Sequence, residues 1–98
     1  MYILSLTYQV DLDVIDSLLD EHASWLNDNY ERGHFLVSGR KVPRTGGVII
    51  ASGRLGRDEV DTIVAEDPFA RAGAAVYEVT EFAVSRTGDG LDSLSDVE

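Results

Sequence analysis

A histidine lies within the apolar stripe of the helix predicted between Ile15 and Tyr30. His22 follows Leu18 by four residues and precedes Trp25 by three, so its side chain is expected to point toward the core. An imidazole changes its charge near neutral pH, which suits it to accept and return a proton. The alternative is a structural core histidine whose ring nitrogens are satisfied by hydrogen bonds.

An aspartate occupies the matching position after a second helix, predicted at residues 56–66. Asp67 continues the inner stripe of that helix, four residues after Ile63. Because a proline follows, the same carboxylate also suits the N-cap of a short helical turn through Phe69–Ala72. If the two helices pack side by side on one sheet, contact between Asp67 and His22 is geometrically reasonable. The carboxylate would then orient the imidazole and stabilise its charged form.

Small and hydroxylated side chains suggest where a ligand would sit beside this pair. Ser38 and Gly39 fall in a predicted strand, where small residues either lie beneath a packed helix, form a bulge, or leave room for a ligand. Tyr8 ends the first predicted strand and could point its hydroxyl into the same cleft. An aromatic residue at a strand end more often belongs to the core or to a dimer interface, so Tyr8 ranks below His22 and Asp67 as a site residue.

Basic residues are concentrated near one turn. Arg40, Lys41 and Arg44 are three of the eight Lys and Arg residues in a chain of net charge −10. Arg44, together with the other two, could attract an anionic substrate to a protein that otherwise repels anions. The alternative is a solvated hairpin. His34 is expected to precede a strand at the surface.

The elements that must position these residues alternate in a recognisable order. Period-two patterns predict four strands, and apolar periodicity with acidic first turns predicts two helices. The strands fall at residues 2–9, 34–41, 47–52 and 75–85, and the helices at 12–32 and 56–66. This βαββαβ order predicts a ferredoxin-like α+β fold, in which two helices cover one face of a four-stranded antiparallel sheet.

The other sheet face has no predicted element to cover it. An exposed apolar face favours association, so we expect a homodimer that pairs through this open face. Residues 1–85 are expected to form the domain, and residues 86–98 an acidic, Gly- and Ser-rich disordered tail.

Composition narrows the function classes. The 98-residue chain has room for one domain, and it contains no cysteine for disulfides or thiol chemistry. Its acidic balance argues against nucleic acid and anionic membranes as partners. Two histidines without ligand spacing give no support for a metal site, and no cofactor motif is visible. With no export signal predicted, we expect a cytoplasmic location.

Several short segments resemble the YCII-related (YciI-like) family over roughly residues 1–85. They are the helix histidine and, in order, the stretches HFLVSGRKVPRTGGVIIA, AEDPF and YEVTEF. The resemblance implies a dimeric α+β barrel with a cleft between helices and sheet. It also implies a His–Asp dyad at His22 and Asp67, with the family's Ser-Gly at Ser38 and Gly39. One related enzyme group consists of dehydrochlorinases that act on chlorinated hydroxyhydroquinones.

Two functions are therefore compatible with the sequence. The first is a cofactor-independent acid–base enzyme, of lyase, dehydrochlorinase or isomerase type, that uses His22 and Asp67 on a small, aromatic or enolisable molecule. The second is a non-catalytic homodimeric module that binds a small molecule or a protein, in which the same pair fixes helix packing.

Overall fold

Four strands and four helical segments make up the domain. The computed structural model describes residues 1–97, and the side chains of residues 1–94. The strands are β1 (Tyr2–Tyr8), β2 (Phe35–Arg40), β3 (Gly46–Ala51) and β4 (Ala75–Glu81). The helices are α1 (Leu12–Ser17), α2 (Leu19–Glu31), α3 (Arg57–Ala65) and α4 (Pro68–Arg71).

The strand order β2-β3-β1-β4 confirms the predicted ferredoxin-like α+β fold. All three strand pairs are antiparallel, and β3 is inserted between β1 and β2. Leu4 pairs with Ile49 on one side and with Val79 on the other, so these three side chains share the face toward the helices. The alternation of β1 thus places Tyr2, Leu4 and Leu6, all buried, on the face that the helices cover.

The core lies between that face and the helices. Full burial of a large apolar side chain contributes about 1.5–3 kcal/mol, so this layer fixes the helices on the sheet. Its buried side chains include Tyr2, Leu4, Leu6 and Ile49 from the sheet, and Ile15, Trp25, Val60, Ile63 and Phe69 from the helices.

The first helical region is not the single helix predicted for residues 12–32, because it is interrupted at Leu18. The Ser17 hydroxyl donates to the Val14 carbonyl at 2.6 Å, and the Leu18 amide donates to the Ile15 carbonyl at 3.0 Å. Both are i to i−3 bonds, which tighten the turn and disturb the regular helical ladder. Helix α2 then begins at Leu19, and the His22 amide donates to the Leu18 carbonyl.

Helix ends agree closely with their sequence signals. Gly33 follows α2 with φ of 75°, a left-handed conformation that glycine adopts without steric cost. At the start of α3, the Gly56 amide donates to Glu59 Oε1 at 3.0 Å. Asp67 Oδ1 accepts from the Phe69 amide at 3.0 Å, so Asp67 is the N-cap predicted for the turn that forms α4.

The last strand ends at Glu81 and not at residue 85 as predicted. Its neighbour β1 begins at Tyr2, which pairs with Glu81, and the Phe82 amide donates to the Met1 carbonyl. Asp92–Val97 form a 3₁₀ helix, and Glu98 lies outside the described residues. The disorder and the boundary predicted for residues 86–98 stay predictions.

The sheet face opposite α1–α4 also carries apolar residues. Ile3 and Ile50 are half-buried there, while Val37 and Val76 are 56% and 55% exposed. The register places these four side chains on the same face, because each alternates along its strand with residues of the face that carries Leu4. Within residues 1–97, no helix is long and apolar enough to cross a membrane.

Candidate active site

His22 and Asp67 are in direct contact. The distance from His22 Nδ1 to Asp67 Oδ1 is 2.8 Å, which joins α2 to the start of α4. The Asp67 side chain is fully buried, with 0% exposure, whereas 13% of the His22 side chain is exposed. The two residues selected from their positions in separate helical stripes therefore meet in the folded chain.

Three donors surround the Asp67 carboxylate. Oδ1 accepts hydrogen bonds from the His22 ring and from the Phe69 amide, and Oδ2 accepts one from the Tyr77 hydroxyl at 2.5 Å. Each of these bonds uses the carboxylate as the acceptor. A neutral His22 therefore carries its proton on Nδ1, which leaves the Nε2 lone pair for another partner.

Tyr77 is a site residue that the sequence did not single out. Its alternation with Ala75 and Val79 places it on the covered face of β4, and it begins the YEVTEF stretch. Burial, and then the negative charge of Asp67, raise the pKa of the Tyr77 hydroxyl well above its usual range. The hydroxyl consequently remains a proton donor to Asp67 through the physiological range.

Aromatic rings fix the orientation of the imidazole. Phe69 stacks on His22 with ring centroids 4.2 Å apart and planes at 13°. The Trp25 ring lies 5.5 Å from His22, and its Nε1 donates to the Ile63 carbonyl at 3.1 Å. With Nδ1 fixed by Asp67 and the ring packed in this way, Nε2 is the free nitrogen. No side chain or backbone group among the described residues bonds to it.

A cleft of about 400 Å³ adjoins the imidazole, between α2 and the sheet. This volume lies in the lower part of the range for small-molecule sites. All four residues predicted to bind substrate line it, together with His22 and several residues that were not predicted. The lining comprises Leu6, Tyr8, Leu19, His22, Leu26, Ser38, Gly39, Arg40, Arg44, Gly46, Gly47, Val48, Ile49 and Phe69.

The predicted residues on β1 and β2 make different contributions to the cleft. Ser38 Oγ shares a 2.5 Å hydrogen bond with the Tyr30 hydroxyl, which links β2 to α2. The Tyr8 ring packs edge-on against Phe69 at 5.9 Å. A Cβ added at Gly39 would meet nothing within 4 Å, so packing does not require glycine at that position.

Gly46, which the sequence did not single out, has a strict steric role in the cleft wall. A Cβ at this position would lie 1.8 Å from the Leu6 carbonyl oxygen. Only glycine lets β3 approach β1 this closely. Gly46 and its neighbour Gly47 thus leave part of the cleft wall as bare backbone.

Arg44 lines the cleft with its charge already compensated. Its Nη2 donates to Asp16 Oδ1 at 2.6 Å, which ties the β2–β3 turn to α1. This hydrogen bond raises the pKa of the Arg44 guanidinium above its usual range, and the adjacent Tyr8 hydroxyl adds to the effect. The structure therefore gives Arg44 an ion-pair partner within its own chain.

The second histidine lies outside this site. His34 directly precedes β2, as predicted, and is half-buried, with its Nδ1 2.9 Å from Asn29 Oδ1. In the described part of the chain, no three His, Asp or Glu side chains come together in a group that could hold a metal ion.

Comparison with known proteins identifies the family of the chain. No curated protein matches the chain. A solved structure of 5-chloro-2-hydroxyhydroquinone dehydrochlorinase from Burkholderia phenoliruptrix AC1100, in complex with 2,5-dihydroxybenzoquinone, is similar in fold. It has a TM-score of 0.69 and 22% sequence identity, and the match covers 84% of this chain and 93% of that one. A family model for the YCII-related domain matches residues 1–83, and the chain therefore belongs to the YCII-related domain family.

Proposed function

We propose that this protein is an enzyme that performs cofactor-independent acid–base chemistry on a small molecule. The observation that carries the proposal is the 2.8 Å contact between buried Asp67 and the partly exposed His22 at the wall of an open cleft. A pair that served only helix packing would be expected to lie sealed from solvent. An imidazole that faces a cleft is instead accessible to a substrate.

In this mechanism His22 Nε2 accepts a proton from a substrate held in the cleft. The resulting imidazolium is stabilised by the Asp67 carboxylate. Hydrogen bonds from the Phe69 amide and the Tyr77 hydroxyl hold this carboxylate in place. His22 then returns the proton to another substrate atom in an isomerisation. In an elimination, it releases the proton to water as the leaving group departs.

The chemistry of the cleft and the similar dehydrochlorinase both favour elimination from, or isomerisation of, an enolisable or aromatic molecule. Much of the wall is apolar, through Leu6, Leu19, Leu26, Ile49 and Phe69. A cleft of this kind favours a flat, largely apolar body over a sugar or a nucleotide.

The proposal is tested by turnover of chlorinated hydroxyhydroquinones, followed by halide release and by absorbance. We expect His22→Ala to lose activity by about 100- to 10,000-fold, the range for removal of a general base. Asp67→Asn should also lose activity, because the acceptor of the Nδ1 proton is no longer charged. His34→Ala is the matched control, since His34 lies outside the cleft and should leave turnover unchanged.

Undiminished turnover in both His22→Ala and Asp67→Asn would exclude this mechanism. If the wild-type protein bound such molecules without turning them over, and His22→Leu changed only stability, the non-catalytic binding module would be the better description.

We also propose that two copies pair through the open sheet face. Support comes from Val37 and Val76, which lie on opposite edge strands and are each more than half exposed. A pair of such faces would remove this apolar surface from water. Sedimentation at micromolar concentration should give a dimer for the wild type and a monomer for Val37→Lys, and a monomeric wild type would contradict the proposal.

A further inference from the structure

Arg40 is a cation at the cleft with no ion-pair partner among the side chains that the structure describes. It lies at the end of β2 and lines the cleft that His22 adjoins. Across the sheet it pairs with Gly47, which pairs in turn with Leu6, so no acidic side chain stands opposite it on β3 or β1. Among the residues whose side chains are described, none forms an ion pair or a side-chain hydrogen bond with Arg40.

The neighbouring basic residues are already engaged. Arg44 is bound to Asp16 at 2.6 Å, and Lys41 Nζ donates to the Thr7 hydroxyl at 3.2 Å. The Thr7 hydroxyl is neutral, so it leaves the charge of Lys41 uncompensated, but Lys41 is not among the residues that line the cleft. Among the described residues, Arg40 therefore supplies the unneutralised positive charge of the cleft, in a chain whose net charge is −10. An anion that approaches this protein is repelled in general and attracted at this point.

We propose that Arg40 is a specificity-determining residue that binds the carboxylate of a small aromatic acid whose ring lies in the cleft. A guanidinium presents a planar fork that matches the two oxygens of a carboxylate. One uncompensated cation suits a monoanion better than a phosphate dianion. The apolar residues that line the cleft, including Leu26 and Ile49, would contact the ring. This inference rests on the proposed function only in placing the ligand beside His22.

The geometry of β2 supports simultaneous contacts with one ligand. Ser38 and Arg40 point to the same face of the sheet, two residues apart, which corresponds to about 6.6 Å along a strand. Gly47, which pairs with Arg40, has no side chain to fill the space beside it, while Ile49 lies opposite Ser38 and would contact the ring. A single six-membered ring with one carboxylate has the dimensions to occupy this part of the cleft.

The experiment is an amide-resolved NMR titration of the wild-type protein with benzoate and with benzamide, its neutral isostere. Benzoate should shift the amides of Ser38, Arg40 and Gly47, and should bind at least tenfold more tightly than benzamide. Arg40→Gln should weaken benzoate binding by at least tenfold and leave benzamide binding unchanged. Arg40→Lys should retain part of the affinity, because it keeps the charge without the fork.

Arg54→Gln is the control for net charge, since Arg54 is exposed, lies outside the cleft and forms no ion pair with a described side chain. Equal benzoate affinity in wild type and Arg40→Gln would overturn the inference, as would an equal loss in Arg54→Gln. A loss in Arg44→Gln with none in Arg40→Gln would also overturn it, and so would tighter binding of phenyl phosphate than of benzoate.

These outcomes are independent of turnover. Arg40-dependent benzoate binding that persists in an inactive His22→Ala protein supports the inference on its own. Dyad-dependent turnover without Arg40-dependent binding would overturn the carboxylate assignment and leave the acid–base proposal standing.

Discussion

Tyr77→Phe removes a single hydroxyl from the centre of the candidate site. The ring is retained, so its packing and its apolar burial are expected to change little. What is lost is the 2.5 Å hydrogen bond to Asp67 Oδ2, an oxygen that receives no other hydrogen bond from the described residues. The variant therefore isolates the energetic value of this bond.

The magnitude follows from the charge and burial of the acceptor. A hydrogen bond to a charged group contributes about 1.5–3 kcal/mol, and the exposed fraction of Asp67 is 0%. We therefore expect Tyr77→Phe to lower the free energy of unfolding by about 2–3 kcal/mol. For a domain of this size, that loss corresponds to a decrease in Tm of roughly 8–24 °C.

The assay is urea and thermal unfolding of wild type, Tyr77→Phe and a matched control, Tyr30→Phe. The Tyr30 hydroxyl also makes a 2.5 Å hydrogen bond, but its partner is the neutral Ser38 and the contact is exposed. The control should lose no more than about 1 kcal/mol. Equal losses in the two variants, or a Tyr77→Phe loss below about 0.5 kcal/mol, would refute the assignment of a buried, charge-assisted bond.

Three further outcomes are expected. Gly46→Ala should destabilise the fold by several kcal/mol, or prevent folding, because its Cβ would collide with the Leu6 carbonyl; urea unfolding measures this. The raised pKa of Tyr77 means that only the unfolded chain releases this proton as the pH rises above 10. Above pH 10, the free energy of unfolding should therefore decrease with rising pH by about 1.4 kcal/mol per pH unit more in wild type than in Tyr77→Phe. Urea unfolding of both proteins at several pH values between about 9 and 11.5 measures this difference. Ser17→Ala removes the bond to the Val14 carbonyl, so circular dichroism should show unchanged or higher helicity.

Patterns that repeat along the chain predicted the fold well. The order of strands and helices predicted the βαββαβ fold, and the helical periodicity brought His22 and Asp67 to the inner sides of their helices. The sequence also predicted the N-cap role of Asp67, because an Asp-Pro pair has a specific local geometry. These signals succeed because each depends on residues close together in sequence.

Features that depend on which hydrogen-bond or ion-pair partner a side chain takes in the folded protein were not predictable in the same way. The break at Leu18 arises because the Ser17 hydroxyl bonds to a carbonyl in its own turn, while many helical serines do not bend their helix. Tyr77 reaches Asp67 only because β4 passes beneath α4. Arg44 had several acidic residues available, and only the folded chain reveals that Asp16 is its partner.

The central position of β1 has a consequence for how the site assembles during folding. β1 leads the sequence, yet both of its neighbours in the sheet come from later segments, and β4 is the last strand of all. Such long-range pairing carries a high loop-closure cost and slows folding. Until β4 docks, one edge of β1 stays unpaired and Asp67 lacks the Tyr77 hydroxyl. The candidate site is thus completed only when β4 docks. A chain truncated before residue 75 would contain His22 and Asp67 but would lack the strand whose Tyr77 hydroxyl holds the Asp67 carboxylate in place.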